Sequence, residues 1–246
     1  MSREKEVNFF SEHYDKGVLW YSKFFEKRRK EEIAGEFSPR YLSHAMAPHR
    51  IKETVPDAKL IVCLRNPVDQ LFSRYHYMVA RQMYSKSFEA VLEDKPHLIK
   101  GAFYYKHLSR YMEYFSPDRI CVLIYDDLKA EPGAFLKGIF NFLSVRAGIL
   151  PSRLNEKIHH TRIPRSRLME ANLVVARKIL RKMRLLPVVD ALKARCLDKT
   201  IKRVNTRKNG SFKEMDPKTR ERLNDIFAED KEKLSELIGR DLSFWA

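Results

Sequence analysis

The sequence predicts an α/β domain of three layers, with helices on both faces of a mostly parallel central sheet. Two observations carry this. The runs "KLIVCLR" (59–65) and "RICVLIY" (119–125) are continuously apolar and rich in branched residues, as strands buried on both faces read. A helical pattern follows each, and strand–helix–strand–helix order calls for the crossovers of a parallel sheet. The chain has 246 residues, 44% of them hydrophobic and 33% charged, which suits one large core, so 1–246 is read as a single domain.

Residues 7–28 open on the pair Phe9-Phe10 and continue in a helical pattern with Leu19, Trp20, Phe24 and Phe25 on one side. "GEFSPRYL" (35–42) is a turn and a short extended piece, because Pro39 steers Ser38 away from helix. A short helix over 46–56 is entered at Pro48. After the first strand, Pro67 suits the first turn of a helix running to about Met83. Ser87 caps "SFEAVLED", a helix from about Tyr104 to Phe115 leads into the second strand, and an amphipathic helix follows Pro132. Residues 165–203 are helical in pattern and break near Pro187. Asp216-Pro217 opens the last helix and Gly239 ends it.

The net charge is +16, and its excess is concentrated: residues 146–213 hold 19 Lys/Arg against 4 Asp/Glu. Such a surface suits anionic partners, among them a phosphorylated cofactor, an acidic or sulfated acceptor, or lipid headgroups. The usual signatures of nucleic-acid modules are absent, so no nucleic acid is expected. Cys63, Cys121 and Cys196 are scattered, and the first two sit in the apolar runs, so they read as buried reduced thiols. No apolar run approaches the length of a membrane span, and the first residues lack the apolar stretch of a secretory signal, so the expectation is cytoplasmic. The tandem His159-His160 lacks Cys or carboxylates at ligand spacing and reads as a surface loop, and no metal is expected.

The stretch "LRNPVDQLFSRY" concentrates the chemistry. Ligands of open parallel sheets bind outside the carboxyl ends of the strands, and Arg65 ends one. Its guanidinium suits phosphate, the helix after Pro67 would add N–H groups and a positive dipole end, and Ser73 would add a donor. The plain alternative is that Arg65 pairs with Asp69 and Ser73 is a small packing residue. On the residues alone the two readings stand level.

"LRNPVDQLFSRYHY" resembles the 3′-phosphate-binding segment of sulfotransferases that use 3′-phosphoadenosine 5′-phosphosulfate (PAPS). Other stretches are similar to segments of the same family in order. "KEVNFFSEHYDKGVLWYSKFF" looks like "KE-x-x-FF…Y-x-x-G-x-x-WY…F", "GEFSPRYL" like "E-x-(S/T)-P-x-YL", and "VPDAKLIVCLRNP" like "P-x-AK-(L/I)-I-x-LR-(N/D)-P". The C-terminal "MDPKTRERLNDIFAEDKEKLSELIGRDLSFW" also resembles the family's. The closest flavour is the bacterial and heparan-sulfate-type branch. The resemblance implies a P-loop NTPase-like sulfotransferase fold and transfer of a sulfuryl group from PAPS to a hydroxyl or amine of a glycan, lipid or small molecule. It implies that Arg65 and Ser73 hold the 3′-phosphate and that Glu6 is the general base. More loosely, it implies that Arg207, Lys208 and Asn209 contact the nucleotide's phosphates. His13 and Tyr14 would line the acceptor side; the alternative is that they are ordinary half-buried residues.

One departure from the family is large. Its members begin with a strand and a Gly-rich loop, roughly "G-x-x-K-(S/G)-G-T-(T/S)", that cradles the 5′-phosphosulfate. None of the eight glycines here sits in such a pattern. The expectation is a chain that starts late, lacking that strand, loop and first helix, with sheet edges and apolar faces exposed and activity reduced or lost; a degenerate relative is the alternative. The rival functional reading is a non-catalytic module that binds polyanions or a membrane surface through residues 146–213. A kinase-like phosphate transfer ranks last, because it needs a Ser/Thr after a phosphate-loop Lys.

Overall fold

A computed structural model describes residues 1–27, 29, 33–81, 84, 86–146 and 214–245. Strands β1 (Leu60–Leu64) and β2 (Ile120–Ile124) pair in parallel, with Leu60 opposite Ile120 and Leu64 opposite Ile124. Both fall where the apolar runs predict, and they form the sheet of the described residues. Helices α1 (Phe9–Glu12), α2 (Val18–Ser22) and α3 (Ala47–Thr54) precede β1. Between the strands run α4 (Pro67–Ala80), α5 (Phe88–Asp94), α6 (Pro96–Lys100) and α7 (Tyr104–Met112). After β2 come α8 (Tyr125–Ala130), α9 (Pro132–Leu143) and α10 (Pro217–Ile238).

The described residues group into two compact units. The first takes those of 1–70, 96–146 and 220–245, and the second those of 71–95 and 214–219. In the first unit, one apolar cluster joins Val7, Phe9, Phe10, Ala47, Ile51, Tyr111 and Phe115, with Trp20, Tyr21 and Phe24 packed on it. Phe9 stacks on Tyr21 with centroids 4.4 Å apart and planes 8° from parallel, an arrangement that adds to the area both rings bury. A second cluster joins Leu64, Tyr104, Leu108, Ile124, Leu234, Leu242 and Trp245. The two clusters explain α7, whose Tyr104, His107, Leu108 and Tyr111 recur at helical spacing and are buried, Tyr104 and Leu108 in the second and Tyr111 in the first. Trp245 Nε1 donates to Asp126 at 3.2 Å, and both terminal nitrogens of Arg240 donate to Asp127, so three bonds anchor the C-terminal segment to α8. Helix α10 ends as expected: Gly239 takes φ 62° and Arg240 N bonds back to Ser235 O. In the second unit, Ser87 caps α5 through Ala90 N, Phe72 and Tyr75 pack on Phe88, and Asp216 Oδ2 accepts from Thr219 N.

Two expectations are corrected. Strand β1 is not buried on both faces: Ile61 is 42% exposed and the Cys63 thiol is exposed. Leu60, Val62 and Leu64 face the two clusters, while Ile61 and Cys63, on the other face, are the more exposed residues of the strand. Leu19 does not share the face of Trp20 and Phe24. It immediately precedes Trp20 in the same helix, so it points about 100° away around the axis, and it is turned to solvent. Helix α9 forms after Pro132 as expected and contributes no fully buried residue. The basic helical pattern over 165–203 lies outside the described residues.

Candidate functional site

Leu64 is buried at the end of β1, so the chain leaves the sheet's carboxyl edge at Arg65. Asn66 then starts α4. Its side-chain Oδ1 accepts from Val68 N at 2.9 Å and Asp69 N at 3.3 Å, and its backbone carbonyl accepts from Gln70 N. This corrects the expectation of free N–H groups at this helix start. Asn is a strong cap because its short side chain reaches those amides, and it occupies them here. Anion binding at this edge therefore falls to side chains.

Arg65 is loosely held. Its Nη2 lies 3.5 Å from Asp69 Oδ2, too long for a good hydrogen bond. Its Cζ sits 5.4 Å from the centre of the Tyr125 ring. Its Nε is buried and has no hydrogen-bond partner among the described residues. Asp69 commits its other oxygen to Arg220, whose Nη2 donates to Oδ1 at 2.9 Å. Burial works against ionisation of nearby Asp126, but bonds from Lys129 and Trp245 and the charge of Arg65 hold its carboxyl below the usual range. Sequence reasoning anticipated Asp69 as a partner of Arg65 and missed Arg220.

Glu6 is exposed, and its backbone is left-handed at φ 55°, as is Asn8 at φ 54°. Non-glycine residues seldom adopt this region, and they gather at functional sites. The buried Val7 between them and a bond from Glu6 N to Phe37 O fix the loop. Glu36 anchors it further. Its carboxylate accepts from the hydroxyls of Tyr21 (2.6 Å), Tyr41 (2.6 Å) and Ser38 (2.5 Å). Ser38 Oγ in turn accepts from Asn8 N, and the Tyr41 hydroxyl oxygen accepts from Phe10 N. Burial pushes both tyrosines above their ordinary range, and the Glu36 bonds and charge add to it.

The remaining predicted residues are placed as follows. His13 is half-buried with its ring edge-on to Trp20, 5.5 Å between centroids. Tyr14 packs on Phe9, carries Arg50 over its ring at 4.7 Å and donates its hydroxyl to Glu53 at 2.8 Å. Ser73 is exposed on α4, in the second unit. Arg207, Lys208, Asn209 and the pair His159-His160 lie outside the described residues. Among the described residues no group of His, Cys, Asp and Glu is arranged to hold a metal ion, and no helix is long and apolar enough to cross a membrane.

A parallel strand that ends in a loosely held guanidinium is an arrangement suited to an anionic ligand. The profile of the sulfotransferase domain matches residues 2–237, and the chain belongs to that family. Over 154 residues it is 27% identical to the bifunctional heparan sulfate N-deacetylase/N-sulfotransferase 1 of Caenorhabditis elegans, covering 57% of this chain and 18% of that protein. Over 150 residues it is 27% identical to the mouse heparan sulfate glucosamine 3-O-sulfotransferase 3B1, covering 57% and 38%. The chain thus spans well under half the length of either relative. Its fold matches the crystal structure of a sulfotransferase from Alicyclobacillus acidocaldarius with TM-score 0.68 at 22% identity, over 99% of this chain and 87% of that one.

Proposed function

We propose that the chain carries the 3′-phosphate-reading and acceptor-activating parts of an enzyme that moves a sulfuryl group from PAPS to a hydroxyl or amine of a glycan. The carrying observation is Arg65, with a buried Nε that lacks a partner among the described residues at the carboxyl end of a parallel strand. Such a donor fits the 3′-phosphate that distinguishes this nucleotide from others. Ser73 and the trio Arg207, Lys208 and Asn209 keep the roles the family resemblance implies. The donor supplies an activated sulfuryl group on its 5′-phosphate. Glu6 takes the proton from the acceptor oxygen or nitrogen as that atom bonds to sulfur and the sulfur–oxygen bond to the 5′-phosphate breaks, releasing 3′-phosphoadenosine 5′-phosphate; its exposed, fixed loop suits a base that must meet a large acceptor. His13 and Tyr14 flank the acceptor. The glycan class is supported by the names of the two curated relatives.

The test is transfer of labelled sulfuryl from PAPS to a desulfated heparan-type glycan by the 246-residue chain and by Glu6→Gln. The expected result is transfer by the parent at a rate reduced by the lack of the Gly-rich loop, and a further loss of about 10²–10⁴ in the variant, with nucleotide affinity kept. Nucleotide binding without any transfer would leave a binding module and overturn the enzymatic reading.

A further inference from the structure

We infer that Arg220 is a positioning residue: by holding the Asp69 carboxylate it keeps Arg65 open to the nucleotide's 3′-phosphate. The inference rests on the assignment of that phosphate to Arg65. All three side chains belong to the first unit. Asp69 could bond either guanidinium, yet it sits at hydrogen-bond distance from Arg220 (2.9 Å) and beyond it from Arg65 (3.5 Å). The N–H groups at the start of α4 are capped by Asn66, so they neither bind the phosphate nor restrain Asp69 from outside the helix.

The charges follow the same logic. Arg65 and Asp69 alone sum to zero, and a neutral pair is a poor receiver for a dianion. Arg220 returns one positive charge to the cluster. Without it, Arg65 becomes the nearest cation for Asp69 in this cluster, and the long contact would close into a charge-assisted bond. The phosphate would then compete with an internal carboxylate for the same guanidinium. Arg220 stands in the first turn of α10, 151 residues from Asp69, so this helix start sets the state of Arg65.

A plain structural tie between α10 and α4 would predict only lower stability on loss of Arg220. The rescue of a double variant separates the two roles. Calorimetric titration with 3′-phosphoadenosine 5′-phosphate and with 5′-AMP gives a 3′-phosphate preference for the full chain, Arg220→Ala, Asp69→Asn and Arg220→Ala/Asp69→Asn. Circular dichroism confirms folding at the titration temperature, and Arg220→Gln replaces Arg220→Ala if that variant is unfolded. Arg220→Ala is expected to lose at least about tenfold of the preference, the low end for a hydrogen bond to a charged group. The double variant, with no carboxylate left to close on Arg65, is expected within about threefold of the parent, well inside that loss. An unchanged preference in Arg220→Ala, or a loss that persists in the folded double variant, overturns the inference. A folded parent with no preference at all refutes instead the assignment of Arg65.

Discussion

Replacing Glu36 by alanine removes one carboxylate and leaves three hydroxyls, those of Tyr21, Ser38 and Tyr41, without their acceptor. A sheltered hydrogen bond to a charged group contributes ~1.5–3 kcal/mol. Glu36 is half-buried, so water recovers part of each bond, and about 1 kcal/mol apiece is the fair figure, or about 3 kcal/mol in all. For a chain of this size that corresponds to a melting temperature lower by about 6–12 °C. The functional consequence is local. Ser38 and Tyr41 also hold Asn8 N and Phe10 N, so the loop that presents Glu6 loosens. Turnover should fall at least about tenfold through misplacement of the base, while affinity for 3′-phosphoadenosine 5′-phosphate stays within about twofold. Glu36→Gln retains one acceptor oxygen and should lose about half as much stability. Thermal melts, steady-state rates and calorimetry on the three proteins decide it. A melting shift under about 2 °C in the alanine variant would mean that solvent, not Glu36, satisfies these hydroxyls, and the anchoring argument would fail.

Three other predictions concern stability. Burial pushes His76 down to about 4 from an ordinary 6.5, so the unfolded chain takes up the proton first and stability falls as pH drops from 6.5 towards 4. His76→Phe should flatten that limb of a denaturation–pH profile, and a histidine signal that titrates near 6.5 in the folded chain would contradict it. Tyr21 and Tyr41 are raised above 10.0, so their contribution is complete below pH 10 and is lost as pH rises beyond it. A Tyr21→Phe/Tyr41→Phe double variant should show a shallower alkaline loss, and an identical slope would count against the Glu36 network. Asp230 accepts from Tyr105 N at 3.0 Å and Lys106 N at 3.2 Å, capping α7 from α10. Asp230→Ala should cost about 1–2 kcal/mol in chemical denaturation, and no change would mean that α7 is held by its apolar face alone.

Much of the fold is legible because its signals are local. The strand runs, Pro67 and Pro132 at helix starts, the Ser87 cap and Gly239 at a helix end each act within a few residues, and all appear where the sequence places them. Arg65 at the strand end is legible for the same reason. The side chains that govern it are not. Arg220 meets Asp69 across 151 residues, and Glu36 gathers hydroxyls from two separate stretches of chain, convergences that no spacing rule encodes. The Asp216-Pro217 pair marked where α10 begins, but nothing local marked Arg220 as the partner of Asp69. The failures have two physical causes. An apolar run reports that a strand forms, while the cover on each face depends on other elements, so Ile61 and Cys63 look buried in sequence and are exposed in the fold. Leu19 fails for a local reason: it is adjacent to Trp20 in one helix, and about 100° of rotation per residue carries it off the packed face.

The central claim is that the guanidinium at the end of β1 reads a 3′-phosphate. Calorimetric titration of the 246-residue chain and of Arg65→Ala with 3′-phosphoadenosine 5′-phosphate and 5′-AMP tests it most directly. The account predicts that the parent prefers the 3′-phosphorylated nucleotide by at least about tenfold and that the folded variant does not discriminate between the two. A folded Arg65→Ala chain that keeps the full preference would contradict it.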